Sequence, residues 1–282
     1  MELCRNNNKD EWKREVDATE PLHIMINPAS SSGKGIQNWE KLRPVFEQAG
    51  IPYVLHIPSA EQSLESVCTN LTSSEGETAI CIIGGDGTAN AVINGITDFS
   101  KTKVGMIQTG SGNDFARGFS LPDDPEETVR RIAEGRVMRC CDVGEVFMDE
   151  ALPRRFIVSA GIGFDAAVCQ EVNMSWLKDF LNRLHMGKLV YIGVACKQIF
   201  SSPSVKMRIV LKKDGGTRTL RCRKALFAAV MNTPYEGGGF MFAEDKSSRP
   251  LWLNGSWSPH DSRHAYRITI LRSEERRVGK EC

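Results

Sequence analysis

Ile80-Cys81-Ile82-Ile83 runs directly into Gly84-Gly85-Asp86-Gly87-Thr88 and on into Ala89-Asn90-Ala91-Val92-Ile93. A short apolar run bounded by glycines reads as a buried strand, and the apolar residues after Thr88 read as a helix. Strand, glycine turn and helix in that order are the building unit of a parallel α/β sheet. Glycines let backbone N–H groups approach an anion closely. Thr88 is placed to cap the helix whose positive end faces that anion. Asp86 is out of place in a purely phosphate-binding turn, because a bare carboxylate repels phosphate. A divalent cation between them resolves the conflict. The alternative is a plain Gly-Asp-Gly turn joining strand to helix.

Outward from this junction, the first half alternates strand and helix. Leu22 to Ile26 reads as the first strand, Ala29 to Gly35 as a polar loop, and the stretch around Trp39, Leu42, Val45 and Phe46 as a helix containing Pro44. Tyr53 to Ile57 is a second strand, and Ser59 with Gln62 forms a capping box for the next helix. Val104 to Ile107 is a further strand, and Asp124-Pro125-Glu126-Glu127 opens a helix that Gly135 stops. The expected architecture is an α/β nucleotide-binding domain, a parallel sheet with helices on both faces, over residues 20–138. A β-rich domain follows over 139–243, with strands at Phe156 to Val158, Val205 to Leu211, Thr217 to Cys222 and Ala225 to Met231. Helices are expected around Phe164 to Val172 and Lys188 to Phe200. Residues 244–282 lack clear periodicity and read as an atypical, poorly ordered tail.

Composition narrows the classes. With 282 residues and 41% hydrophobic content the chain can hold two packed domains. A net charge of +1 argues against a broad grip on nucleic acid and leaves room for a local basic patch. Nine scattered cysteines without a C-x-x-C spacing read as reduced thiols of a cytoplasmic protein. No apolar run is long enough to cross a bilayer. If the substrate is a lipid, the protein must reach it from the water side, which would put a cytoplasmic protein at the inner membrane face. Trp176, Leu177, Phe180 and Leu181, with Lys178, Arg183 and Lys188 nearby, have the spacing of either a core-facing or an interfacial helix.

Three loops in the first half suit phosphate, and each follows an expected strand. The first is Asn27-Pro28-Ala29-Ser30-Ser31-Ser32-Gly33-Lys34-Gly35. It is not a Walker P-loop, since Pro28 stands where the first glycine belongs and Gly35 follows the lysine where Ser or Thr is needed. The second is Gly84 to Thr88. The third, Thr109-Gly110-Ser111-Gly112-Asn113-Asp114, repeats the recipe of glycines, hydroxyl and carboxylate, although Asp114 as a simple helix cap is an alternative. Successive parallel strands bring their carboxyl ends together, so the loops are expected to converge. A nucleoside triphosphate with Mg²⁺ satisfies them: amides and Lys34 hold phosphate, while Asp86 and Asp114 hold the ion or its waters.

These motifs resemble the catalytic domain of diacylglycerol kinases and their bacterial lipid-kinase relatives, a group that includes sphingosine kinases. The resemblance continues through Asp142-Val143-Gly144, Ala160 to Asp165 and Tyr235-Glu236-Gly237-Gly238-Gly239-Phe240, covering about Leu22 to Ala243. It implies ATP and lipid meeting between an α/β domain and a β-sandwich domain, with a γ-phosphoryl group transferred to diacylglycerol or a related lipid to give phosphatidic acid. Loops and resemblance together put Asn27, Pro28, Ser32, Lys34, Gly84, Gly85, Asp86, Gly87, Thr88, Asn90, Ser111, Gly112 and Asn113 at the nucleotide. Asp86, Asp114 and Asp142 resemble the family's magnesium network, and Asp86 is the catalytic candidate. Asp142 owes this assignment to the resemblance alone. The family's Ala-Pro step, its Asp-Gly-x-Leu-Asp segment and its glutamate base are not recognisable after Ala243, which points to a reading-frame change there and to impaired turnover. Glu274, Glu275 and Glu281 read as exposed charges. The expected partners are a lipid at the membrane surface and a second copy in a homodimer, with no nucleic acid. An NAD kinase-like small-molecule kinase and a non-catalytic nucleotide-binding module are the alternatives.

Overall fold

The computed structural model describes residues 21–134, 141–147, 152–163, 166–167, 204–213, 216–241 and 267–272. The chain forms two compact units. One takes the residues up to Ser159 together with Tyr235–Phe242, the other Ala160–Pro234 and the residues from Ala243 onward.

In the first unit, β1 (Leu22–Ile26), β2 (Tyr53–His56), β3 (Thr78–Gly84) and β4 (Thr102–Gln108) form one sheet in the order β2-β1-β3-β4. Every pairing is parallel, with Ile24 opposite both Leu55 and Cys81, and Ile82 opposite Met106. Helices cover both faces. Cys81, Ile83 and Ile24 point to one side, against Trp39, Leu42 and Phe46 of α2 (Gly35–Gln48) and Val129 of α6 (Pro125–Ala133). Ile80, Ile82 and Met25 point to the other, against Leu64, Val67 and Cys68 of α3 (Leu64–Thr72) and Ala89, Val92 and Ile93 of α4 (Asp86–Gly95). Alternate residues of β3 thus feed two cores, which is why this strand reads as a continuous apolar run. Each fully buried Ile or Phe contributes about 1.5–3 kcal/mol of burial free energy.

Local details depart from the sequence reading. Ser63, not Ser59, caps α3: its side chain accepts from Ser66 N at 3.1 Å. Ser59 instead closes a preceding turn, its Oγ accepting from Gln62 N at 3.1 Å. The polar loop contains a four-residue helix, α1 (Ser30–Gly33). Thr88 does not cap α4, because that helix already starts at Asp86 with Gly85 as its N-cap. Asp124 does cap α6, accepting from Glu126 N at 3.0 Å, with Pro125 in the first turn. Helix α2 runs through Pro44.

β5 (Gly144–Val146) and β6 (Arg154–Phe156) pair antiparallel. The strand expected at Phe156 to Val158 is interrupted: Ile157 turns into the core beside Val143, and β7 (Ser159–Gly163) begins beyond it. In the second unit β7 pairs with β10 (Phe227–Met231). β8 (Val205–Lys213) and β9 (Gly216–Ala225), which contain the strands expected at Val205 to Leu211 and Thr217 to Cys222, form a hairpin whose strands end at the Lys213–Gly216 pair. β13 (Arg267–Arg272), where the sequence suggested no strand, pairs antiparallel with β8. The alternation Ile268, Thr269, Ile270 is a short period-2 signal that the surrounding charged residues obscure. β11 (Tyr235–Glu236) and β12 (Phe240–Met241) form a hairpin belonging to the first unit. Nearly all of the helices expected around Phe164 to Val172 and Lys188 to Phe200, the Trp176–Leu181 face, the Gly135 stop and most of the tail lie outside the described residues.

Candidate functional site

The strand order puts β1, β3 and β4 side by side, so the segments leaving their carboxyl ends are neighbours. The chain reverses strand order between β1 and β3, the point at which open α/β sheets take ligands. Contacts tie the three loops together. Ser31 Oγ–H donates to the Thr109 carbonyl, and Asn38 Nδ2 donates to Ser31 Oγ at 3.1 Å. Gly85 and Gly110 meet backbone to backbone: a Cβ on Gly110 would stand 2.6 Å from Gly85 Cα. Ser31 and Asn113 hold φ of 55° and 56°, a left-handed conformation uncommon outside glycine and concentrated here in two of the three loops.

Asp86 and Asp114 lie together. Asp86, in the first turn of α4, accepts from Asp114 N through Oδ2 and from Phe115 N through Oδ1, both at 3.0 Å. These are the first two amides of α5 (Asp114–Phe119), so the Asp86 carboxylate does for α5 what a capping residue would. The simple-cap alternative for Asp114 therefore fails, since Asp114 sits inside the helix. Asp114 is buried, at 5% exposure, and accepts from Gly238 N at 2.8 Å and Arg117 Nη1 at 2.9 Å. Burial pushes its carboxyl above the usual carboxylate range, and the Gly238 amide pulls it back. The Asp86 charge adds to the rise, while the Gly239 amide and Arg117 oppose it.

The Gly238 contact was not legible as a role. Gly237-Gly238-Gly239 enters the family resemblance as a motif, without a contact assigned to its amides. All three residues have positive φ, 69°, 86° and 104°, which is the conformation that aims an amide at Asp114. Arg117 completes the assembly, donating to Gly112 O at 3.1 Å and lying 5.7 Å from the Tyr235 ring centroid.

Three buried side-chain polar atoms among the described residues have no hydrogen-bond partner: Ser30 Oγ, Thr109 Oγ1 and Asn113 Oδ1. Each belongs to the first or third loop. A buried polar atom without a partner costs about 1–3 kcal/mol, so their concentration here fits a polar ligand that supplies the partners. Ser30 and Thr109 did not stand out in the sequence, because a serine run and a lone strand-end threonine carry no spacing signal.

The remaining candidates are placed as follows. Asn27 Oδ1 accepts from Ala29 N at 3.0 Å, turning the chain at Pro28 into α1, which contains Ser32. Lys34 is exposed at the start of α2. Gly84, Gly87, Thr88 and Asn90 lie along the β3–α4 junction, with Thr88 buried and the Asn90 carbonyl accepting from Asn94 Nδ2 at 2.8 Å. Ser111 and Gly112 lead into Asn113, and a Cβ on Gly112 would stand 3.1 Å from Asp86 Oδ2. Asp142 is exposed just before β5. Among the described residues no group of three or more His, Cys, Asp or Glu gathers as direct metal ligands. The two oxygens of Asp86 accept from the Asp114 and Phe115 amides, and those of Asp114 accept from Arg117 and the Gly238 amide, with the Gly239 amide beside them. That donor set fits a hydrated Mg²⁺ held through its waters better than a dehydrated ion.

Residues 21–146 match the diacylglycerol kinase catalytic domain. A Bacillus subtilis (strain 168) protein, provisionally named a lipid kinase, is 24% identical over 226 residues, 78% of this chain and 71% of its own length. A diacylglycerol kinase of Mycobacterium tuberculosis (strain ATCC 25618 / H37Rv) is 26% identical over 193 residues, 67% of this chain and 58% of its own. A diacylglycerol kinase of Staphylococcus carnosus (strain TM300) is 41% identical over 68 residues, 24% of this chain and 22% of its own. A crystal structure from Bacillus anthracis str. Sterne, provisionally titled a diacylglycerol kinase, shares the fold with a TM-score of 0.56 at 22% identity, covering 80% of this chain and 70% of that one. The matched residues carry the parallel sheet, the three loops and the paired aspartates, so the part of this chain that holds the candidate site is similar to the catalytic domain of diacylglycerol kinases.

Proposed function

We propose that the chain transfers the γ-phosphoryl group of ATP to the hydroxyl of diacylglycerol or a closely related lipid, with Mg²⁺ as the metal. The observation carrying this reading is the convergence of three strand-end loops whose buried hydroxyls lack partners, beside two carboxylates tied to each other through the first turn of α5. Loop amides and the hydroxyls of Ser30 and Thr109 would bind phosphate oxygens, and Lys34 adds positive charge. Asp86 and Asp114 would hold the waters of the metal, and Arg117 and Gly238 would keep Asp114 aimed. Bound Mg²⁺ would offset the charge that develops on the phosphoryl oxygens. In the transfer the lipid oxygen forms a bond to the γ-phosphorus, the bond to the β-phosphate oxygen breaks, ADP leaves, and the hydroxyl proton passes to a base.

The pattern of the resembling family is not recognisable in residues 244–282, its glutamate base included, and we infer slow turnover of this chain beside normal nucleotide binding. Incubation of the purified chain with γ-labelled ATP, Mg²⁺ and either mixed-micelle diacylglycerol or NAD tests the proposal. Slow labelling of the lipid, and none of NAD, is expected. Labelled NAD, or Mg²⁺-dependent ATP binding without any lipid labelling, would overturn it. Labelling as fast as that of an intact diacylglycerol kinase would overturn the missing-base argument alone.

A further inference from the structure

The β8–β9 hairpin concentrates positive charge that nothing in the phosphoryl-transfer chemistry uses. Four of the nine residues of β8 and four of the ten of β9 are Lys or Arg, and neither strand carries an acidic residue. This density is out of proportion to a net charge of +1 for the whole chain. One side of β8 is apolar: Met207 and Ile209 are buried with Val205, Leu220, Ala225 and Ala228 packed against them. The alternate residues Lys206 and Arg208 are exposed, as are Arg221, Arg223 and Lys224 of β9.

Register brings these charges together instead of spreading them. Arg208 stands directly opposite Arg221. A register shift follows, Met207 pairing with Cys222 and Val205 with Ala225, so Arg223 and Lys224 both oppose Lys206. Directly opposed like charges destabilise a strand pair. None of the five is ion-paired among the described residues. A folded strand pair that holds five cations together, with no ion pair to them among the described residues, is suited to an anionic surface that provides counter-charge.

We propose that the exposed basic face of the β8–β9 hairpin docks the protein on anionic phospholipid bilayers. The choice of a bilayer over nucleic acid rests on the lipid-kinase reading, since a kinase of membrane lipids must work at a charged interface. Among the described residues no helix is long and apolar enough to cross a membrane, so attachment through this face would be electrostatic. A patch of this kind contributes about fivefold in binding per basic residue near the surface, and weakens as salt shortens the Debye length.

Flotation of the full chain with vesicles tests the proposal. The vesicles are phosphatidylcholine alone, or phosphatidylcholine with one-third phosphatidylglycerol, at low and high salt. The expected result is binding to the anionic vesicles only, lost at high salt, and reduced on the order of a hundredfold in the triple variant Arg208→Gln, Arg221→Gln, Arg223→Gln. The triple Lys variant at the same positions should bind like the wild type, which separates charge from folding. Equal binding to neutral vesicles, an unchanged Gln variant, or tighter binding to a labelled DNA duplex than to anionic vesicles would overturn it. Nucleotide binding and micellar phosphoryl transfer, measured on the same samples, should not differ between variants and wild type. Loss of the kinase reading would appear in those assays and not in flotation.

Discussion

Asp86 carries two jobs that pull its chemistry in one direction. Its carboxylate accepts the first two amides of α5, which fixes its orientation, and the same amides supply part of the positive potential that would offset its charge beside the phosphates of the proposed nucleotide. A dication is therefore not the sole compensation available: the helix end acts on Asp86, and Arg117 and the Gly238 amide act on Asp114. Gly110 has no such alternative partner. A side chain there meets the Gly85 backbone at 2.6 Å, which cannot yield without moving the second loop. Gly110→Ala is expected to weaken nucleotide binding at least about tenfold while the sheet remains folded, as judged by calorimetry and circular dichroism. The thiols divide equally sharply. Burial raises Cys68 and Cys81 to about 12, whereas Cys141 and Cys222 are exposed. Iodoacetamide at pH 8 should label Cys141 and Cys222 in the native protein, and mass spectrometry should find Cys68 and Cys81 modified only after unfolding.

At the scale of elements, β1, β3, β4, α2 and α6 were legible because alternating burial, caps and a first-turn proline are local signals. The Asp124 cap is one such case. The shift of the α3 start from Ser59 to Ser63 was not legible: both serines sit ahead of an apolar run, and Ser59 satisfies its own turn with the amides of Glu61 and Gln62. One long-range feature of the first unit has a measurable consequence. His23 of β1 and His56 of β2 meet at 3.0 Å between Nδ1 and Nε2. Burial, with the charge of His23 as a smaller contribution, lowers His56 from 6.5. With the folded value below the unfolded one, the unfolded chain binds the extra proton first. The stability this group contributes is therefore complete above pH 6.5 and declines as the pH falls toward the lowered folded value. Urea midpoints between pH 5 and 7.5 should slope less in His56→Gln than in the wild type. Identical slopes would remove the pair from the acid response.

For the whole molecule, the meeting of three loops was legible because parallel topology dictates which strand ends are neighbours. What closes onto Asp114 was not. The Gly237-Gly238-Gly239 turn lies 124 positions along the chain from Asp114, and its return to the first unit is a matter of tertiary path that no local pattern encodes. The unsatisfied Ser30 and Thr109 hydroxyls were hidden for a related reason, as burial without a partner exists only in the assembled site. The basic hairpin lay between these extremes. Its charges are plain in the sequence, but their alignment on one side depends on the Arg208–Arg221 register and the shift beside it.

The account depends on two carboxylates and three loops forming one nucleotide site, and calorimetric titration with ATP tests this most directly. The wild type is expected to bind ATP in the presence of Mg²⁺ and at least about tenfold more weakly in excess EDTA. Asp86→Asn, which keeps the side chain's size but has one acceptor oxygen and no charge, is expected to lose that Mg²⁺-dependent gain. ATP affinity indifferent to Mg²⁺, or an Asp86→Asn protein that binds Mg-ATP as tightly as the wild type, would contradict the account.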